Sequence, residues 1–536
     1  EDLLHINKPR RGGIVVPVSI QQPASMSSQS SLQHTREGEH HGDYDNTPVT
    51  ITRSTYLFAF CAAINSCNLG FDIGVSTEAS ALIQEDLDLS RIQREIFVGS
   101  LNFWAMFGAT LAQGVSDRFG RRMTFILAAV GFLVGIGILI ISNSLGILLI
   151  GRMFIGWGVG IGLAIDPLYI AEVTPAKHRG QLVTWSEIAL NVGIVFGFST
   201  GLFLSGLNDG REWRVMFLLG AIMPTIMIIV VLTIMPESPR WLVQKGRDTD
   251  ATIVLTQIYP EGFNIDPVLA DIKEAIERDT TARLSVGWGF LCSNSSALRR
   301  MMIVGVGTAI AQQAVGIDAI QYYLIDVIKD SGVESKEGQS IVLMILGGIK
   351  LLFIFVGSKF FDRSGRRPLF FISLAGMTIA LLVVAFGFVI DDTLSAKATV
   401  FGLGLYLAFF SIGMGPGAWL IPSEVFSTVI RARAMSVATL CNRAVATLMA
   451  STFLSTKEAI GWAAFFFMMA IVCVLVLGFL YTYLPETKGR SLEDMSVYFA
   501  EVTHDDTILE VEAELVKRRQ APNGPAPSLA STNEVI

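Results

Sequence analysis

Asp72 stands in Gly70-Phe71-Asp72-Ile73-Gly74-Val75, near the end of an apolar run from Tyr56 to Val75. A run of that length reads as a membrane-spanning helix of about 20 residues, and a carboxylate inside one is costly enough to need a partner and a task. The arginine well inside a nearby apolar segment is Arg152, in Gly151-Arg152-Met153-Phe154-Ile155-Gly156. The residues leave two readings of an Asp72–Arg152 pair: one that a proton can open, or a permanent structural ion pair. All six histidines (His5, His34, His40, His41, His178 and His504) fall in tails or a loop, so a proton crossing the membrane would ride on carboxylates. The five cysteines (Cys61, Cys67, Cys292, Cys441 and Cys473) have no CxxC or metal-ligand spacing and read as small packing residues.

The elements that must position these groups are spanning helices. The chain of 536 residues is 51% hydrophobic and 16% charged, with a mean hydropathy of +0.53. Soluble domains are about 25% charged, so this composition is that of a polytopic membrane protein. The net charge of -7 is sorted by loop and points to no nucleic-acid partner. Apolar segments of spanning length fall at roughly 56–75, 97–115, 123–142, 145–170, 181–204 and 214–235, then at 301–324, 339–361, 368–390, 398–422, 433–454 and 460–484. Arg118, Arg121 and Arg122 follow the second span, Lys177 and Arg179 the fourth, Arg363, Arg366 and Arg367 the eighth, and Arg431 and Arg433 the tenth. The positive-inside rule then expects these loops and both termini in the cytoplasm.

The two sets of six repeat. Asp117-Arg118-Phe119-Gly120-Arg121-Arg122 returns as Asp362-Arg363-Ser364-Gly365-Arg366-Arg367, Ala171-Glu172-Val173 as Ser423-Glu424-Val425, and Pro236-Glu237 as Pro485-Glu486. Offsets of 245, 252 and 249 positions between these motifs point to one six-helix unit duplicated in parallel, with a ligand site between the copies. The expected organisation is a disordered tail over 1–50, a six-helix bundle over 51–235, a helical linker over 236–298, a second bundle over 299–485, and a helix with a disordered tail over 486–536. Met26 is a candidate true start. Within the linker, 250–258 and 266–278 carry helical spacing, and they are expected to form short cytoplasmic helices. Gly156-Trp157-Gly158-Val159-Gly160 reads as small residues that let helices approach closely.

Further polar groups lie inside the spans. Gln312 and Gln313 are adjacent, and Asp318 follows about one and a half turns later, with Gly316 placed to loosen the helix between them. Such amides either knit helices together or pair with a polyhydroxylated ligand, whose hydroxyls each need a new partner on leaving water. Asp166, Glu187, Asp318, Lys350 and Arg443 also sit within apolar spans and are expected to share a polar centre, with Lys350 offsetting Glu187 or Asp318.

Together with the DRFGRR and DRSGRR repeats, PESPRWL at 236–242, QQAVGIDAIQYY at 312–323, GPGAWLIPSEVF at 415–426 and PETKGRSLEDM at 485–495 resemble the sugar porter family of the major facilitator superfamily. The resemblance covers about residues 55 to 497. Gly316-Ile317-Asp318, Glu187, Lys350 and Asn442-Arg443 are most similar to the plant-type polyol/monosaccharide and inositol proton symporters.

That resemblance implies an all-α membrane protein of twelve transmembrane helices in two parallel six-helix repeats. It implies import of a hexose, linear polyol or inositol with a proton; a monomer is expected, the destination membrane stays open with the plasma membrane as the default, and with no nucleophile triad, metal cluster or phosphate loop in the sequence no enzymatic chemistry, cofactor or metal is expected. Substrate contacts would fall to Glu187, Gln312, Gln313, Asp318, Tyr322, Lys350, Trp419 and Asn442. Facilitators of the family carry Asn where this chain has Asp72, so Asp72 and Arg152 would couple the proton. Asp117, Arg118, Arg121, Arg122, Glu172, Glu237, Arg240, Asp362, Arg363, Arg366, Glu424 and Glu486 would form a cytoplasmic network that latches the halves when the cavity faces outward. Asp166 departs from the apolar residue the family places before this proline, which leaves two readings of it, a second protonatable site or a residue at the rim of the cavity. A facilitative uniporter and a non-transporting sugar receptor of the same fold are the alternatives.

Overall fold

The computed structural model describes residues 50–204, 211–285, 287–390 and 393–520, without the side chains of 281–285, 361–364, 393–394 and 518–520. The tail expected over 1–50, residue 50 apart, and the end of that expected over 486–536 lie outside the described residues. Twelve helices are long and apolar enough to cross a membrane. They are α1 (Arg53–Asp86), α2 (Arg91–Phe119), α3 (Arg121–Ile140), α4 (Leu145–Glu172), α5 (Ala176–Leu204) and α6 (Glu212–Thr233), then α7 (Ser296–Tyr322), α8 (Lys336–Phe360), α9 (Arg366–Gly387), α10 (Ser395–Val425), α11 (Arg431–Ile460) and α12 (Trp462–Tyr483). Short helices at Pro239–Gln244, Asp248–Ile258 and Asp266–Ser285 connect the halves, and Leu492–Thr503 and Thr507–Gln520 follow α12.

The two sets pack alike. In the first, α1 lies along α5 while α2 and α3 lie on α4; in the second, α7 lies along α11 while α8 and α9 lie on α10. Between the sets, α2 meets α11 and α5 meets α8. Exchanging the repeats turns one of these contacts into the other, as parallel copies related by a two-fold axis require. The glycine run in α4 works as close packing: a Cβ on Gly160 would stand 2.1 Å from the Ala105 carbonyl of α2, and one on Gly158 2.8 Å from that of Ala128 in α3.

Two departures from the sequence reading affect the site. The stretch 76–96, expected as a loop, is mostly helix, because α1 continues for 11 residues past Val75 to Asp86. The polar residues just past Val75 are buried, two of them against tertiary partners: Thr77 Oγ1 donates to the Gln321 carbonyl at 3.0 Å, and Glu78 accepts from Ser340 Oγ at 2.9 Å. The second departure is that α7 and α10 are both interrupted. Gly316 adopts the left-handed conformation (φ +89°), which only glycine takes at little cost, and α7 restarts at Ile317. The break is pinned by Tyr406, whose hydroxyl donates to the Val315 carbonyl at 2.9 Å. In α10 the interruption at Gly413 brings the Gly415 carbonyl within 2.9 Å of Gln312 Nε2.

Candidate functional site

Asp72 on α1 and Arg152 on α4 meet, both buried. One nitrogen makes the contact: Arg152 Nη1 donates to Asp72 Oδ2 at 3.1 Å and to Oδ1 at 3.3 Å. The other terminal nitrogen donates to Ser76 Oγ at 2.7 Å, and Nε has no acceptor. The guanidinium lies 4.3 Å from the ring centre of Phe97 and 5.3 Å from that of Phe217. The pair is therefore not the strong two-nitrogen fork that arginine can make with a carboxylate. Ser76 and the two ring faces hold Arg152 independently of the charge on Asp72.

Between the halves lies a cavity lined from α1, α2, α4 and α5 on one side and from α7, α8, α10 and α11 on the other. The first half contributes an apolar wall of Leu69, Ile73, Leu101 and Val159 together with Glu187 and Asn102. The second contributes Gln312, Gln313, Asp318, Gln321, Tyr322, Lys350, Phe410, Trp419 and Arg443. Glu187 stands on the cavity wall beside Asn191, one turn on along α5, and no ion pair of 4.0 Å or less holds it among the described residues, so its carboxylate can accept from hydroxyl donors in the cavity.

The charges pair differently from the sequence expectation. Lys350 Nζ donates to Gln321 Oε1 at 3.0 Å rather than to Glu187 or Asp318. Asp318 pairs instead with Arg443, Nη1 to Oδ2 at 3.4 Å, and the same nitrogen reaches Asn102 of the first half at 3.0 Å. In the helix that restarts after Gly316, Asp318 and Gln321 are about one turn apart and both line the cavity. Asn442, expected to touch substrate, is fully buried one layer behind the lining. Its amide donates to the Ala309 carbonyl at 2.7 Å and to Gln312 Oε1 at 2.9 Å, and its oxygen accepts from Arg443 at 2.7 Å. It orients Gln312 and Arg443. Gln321 and Asn102 were missed by the sequence reading; for Gln321 the signal was its position three residues after Asp318.

On the side of the basic loops, one construction occurs twice. Glu237 accepts the backbone N–H of Arg121 at 2.8 Å and of Arg122 at 3.3 Å, and so caps α3. Glu486 caps α9 in the same way, through Arg366 at 2.9 Å and Arg367 at 3.1 Å. A Cβ on Gly120, which has φ +93°, would fall 2.3 Å from Glu237. Arg121 then forks onto Glu172 with two bonds of 2.7 Å and reaches Asp117 at 3.6 Å, and Arg366 pairs with Glu424 at 3.0 Å. Burial pushes the Glu237 carboxyl above its ordinary range despite its backbone donors. Burial also opposes the charge on Glu486, but the N–H groups of Arg366, Lys488 and Arg367 outweigh it and hold its carboxyl low.

Arg240 pairs with Asp279 and Arg118 stands over the Phe119 ring at 5.3 Å, whereas the side chains of Asp362 and Arg363 lie outside the described residues. The Arg121–Glu172, Arg121–Asp117 and Arg366–Glu424 pairs each lie within one half. Contacts between halves gather on the opposite side, unforeseen from sequence. Arg94 forks onto Asp326 at 2.7 and 2.6 Å, and Glu95 accepts the Ser455 N–H at 2.7 Å.

The family described as Sugar (and other) transporter matches residues 58–499. Probable polyol transporter 4 of Arabidopsis thaliana is 35% identical over 465 residues, covering 86% of this chain and 88% of that protein. Polyol transporter 5 of the same plant is 35% identical over 469 residues, covering 84% and 87%. YncC of Bacillus subtilis (strain 168), a putative metabolite transport protein, is 31% identical over 455 residues, covering 83% and 95%. Among solved structures, the xylose transporter XylE from E. coli in a partially occluded inward-open conformation matches with a TM-score of 0.69. It is 24% identical, with 82% of this chain and 99% of that one covered, and the likeness is one of fold.

Proposed function

The chain belongs to the sugar (and other) transporter family, and from that membership we propose that it is a proton-coupled symporter importing a monosaccharide or polyol by alternating access. It is a multi-pass membrane protein, and its relatives are transporters rather than enzymes. The polyol transporters among them favour a hexose, linear polyol or inositol as cargo. By the positive-inside rule the basic loops and both termini face the cytoplasm, and the plasma membrane is the site of action of a monomer.

The observation that carries the coupling is the single-nitrogen contact of Arg152 with Asp72 in a buried setting. A proton arriving from outside neutralises Asp72, and Arg152 stays where Ser76, Phe97 and Phe217 hold it. The α1–α4 contact is then free of an ionic constraint, and the two halves can rock. Substrate hydroxyls bond to Gln312, Gln313, Asp318 and Lys350 from the second half and to Glu187 from the first. Tyr322 adds a hydroxyl, and Trp419 offers an apolar platform for the carbon frame.

Closure by Arg94–Asp326 and Glu95–Ser455 on the outer side corresponds to an inward-facing state. The pairs of Arg121 with Glu172 and Asp117 and of Arg366 with Glu424 lie within one half each, and the cytoplasmic network forms a latch across the halves when the cavity turns outward. One charge moved down the membrane potential supplies about 2.3 kcal/mol per 100 mV, which sustains roughly 40-fold accumulation.

Asp72→Asn tests the coupling. It is expected to abolish uptake against a gradient and proton entry with substrate while leaving exchange intact. Unchanged accumulation refutes coupling through Asp72 and leaves the uniporter. Competition of unlabelled inositol, sorbitol, mannitol and xylose against radiolabelled glucose in hexose-transport-deficient yeast identifies the cargo; no uptake of any of them favours the receptor.

A further inference from the structure

Asp166 is a second buried acid of the first half, and the coupling step described above does not use it. It lies 1% exposed on α4, facing α1. Asn65 Nδ2 donates to its Oδ1 at 2.9 Å and Ser66 Oγ to its Oδ2 at 2.5 Å. The pocket is built for this amide: a Cβ on Gly162, one turn earlier on α4, would stand 2.3 Å from Asn65 Nδ2 and displace it. Among the described residues, no lysine, arginine or histidine pairs with Asp166.

The charged groups of the surrounding helices are engaged elsewhere or face other spaces. Arg152 is on Asp72, Arg121 on Glu172 and Asp117, Arg122 on the Val231 carbonyl, and Arg118 over the Phe119 ring. Glu187 of α5 lines the central cavity, and the Tyr169 hydroxyl donates to the Pro236 carbonyl. A carboxylate so placed has hydrogen bonds but, among the described residues, no counter-charge, and an unpaired charge away from water is costly. The serine hydroxyl both donates and accepts, so it can satisfy the neutral acid as well as the anion without a backbone movement.

From this geometry we infer that Asp166 is a second proton-binding site, on the cytoplasmic side of Asp72, and that it takes the proton Asp72 gives up when the Asp72–Arg152 pair closes. Ser66 precedes Asp72 by six residues, about 9 Å along α1 toward the basic loops. In the transfer, the O–H bond on Asp72 breaks and one forms on Asp166. The negative charge thereby moves from a site without a cation to one that Arg152 neutralises, which sets the direction of the step. The distance exceeds a direct hydrogen bond, so the proton travels through solvent admitted between α1 and α4 during the cycle. The transfer rests on the proton-coupled reading, whereas the binding site does not.

The test is infrared spectroscopy of the purified full chain at neutral pH, with uptake measured in proteoliposomes. Wild type is expected to show a protonated-carboxyl C=O band that Asp166→Asn removes and Ser66→Ala shifts in frequency while leaving the acid in place. Proton-driven net uptake is expected to fall roughly tenfold in Asp166→Asn and to recover in part in Asp166→Glu. A spectrum unchanged by both Asp166→Asn and Ser66→Ala overturns the site. Loss of the band with undiminished uptake overturns the transfer. If Asp72→Asn still accumulates substrate, the coupling reading fails, while loss of the band in Asp166→Asn upholds the site.

Discussion

The outer closure makes a quantitative prediction. Arg94 is buried on α2, and its two terminal nitrogens donate to the two carboxylate oxygens of Asp326, across the boundary between halves, at 2.7 and 2.6 Å. Ser80 and Gln84 accept its other protons, and the Tyr323 ring lies 5.5 Å away. Asp326→Asn keeps the shape but sets an NH2 group against a guanidinium N–H, so one bond is lost and the other loses its ionic character. Charge-assisted bonds contribute about 1.5–3 kcal/mol each, and breaking a buried pair costs about 3–5 kcal/mol. The Asp326 side chain is 21% exposed, which lowers the expected cost to about 2–3 kcal/mol. An outward-open state hydrates both groups and escapes that cost, so the open-to-closed ratio should rise about 30- to 150-fold.

The assay is thiol labelling of Ser451→Cys, which lies against Gly99 where α2 meets α11. Cys292 and Cys441 are replaced by serine, and an impermeant maleimide is added from outside. The labelling rate should follow the open fraction and rise by the stated factor in Asp326→Asn. Arg94→Gln combined with Asp326→Asn should cost less than the sum of the two single changes, since neither charge is then stranded. A rate unchanged within about twofold in all three variants refutes the assignment of this pair as the outer closure.

Two further outcomes follow from other contacts. Asn442→Ala strips partners from Gln312, Arg443 and the Ala309 carbonyl, so substrate KM should rise about 10-fold or more although the residue lines no part of the cavity; an unchanged KM refutes its orienting role. The second concerns Asp505 after Leu492–Thr503. Burial opposes its charge, but Thr507, Ser295 and the N–H groups of Thr507 and Ala297 outweigh this and hold its carboxyl well below the ordinary range. A depressed carboxyl stabilises the folded form above its unfolded pKa, near 3.8, and that contribution is lost as pH falls below it. Proteolytic protection of Thr507–Gln520 should therefore persist to mildly acidic pH and fade only below about 4, whereas Asp505→Asn should be less protected at every pH above that. Equal protection of the two forms at neutral pH refutes the contact.

Sequence by itself determined the twelve spans, their division into two parallel sets and the encounter of Asp72 with Arg152. Span length and apolarity are local properties of the chain, and the repeated motifs at Asp117 and Asp362 are visible without any folding. An acid and an arginine well inside neighbouring apolar spans tend to pair, because an unpaired charge in hydrocarbon is too costly. Docking decided which residues the second half offers to the cavity. After the left-handed turn at Gly316, α7 presents Gln321, not an acid, to Lys350 Nζ, and Asp318 to Arg443. The polar residues after Val75 resemble a loop because their partners, Ser340 and the Gln321 carbonyl, lie more than 240 positions away. Whether a polar side chain faces solvent, a cavity or the opposite half depends on how two preformed bundles meet, and that geometry belongs to no stretch of sequence taken alone.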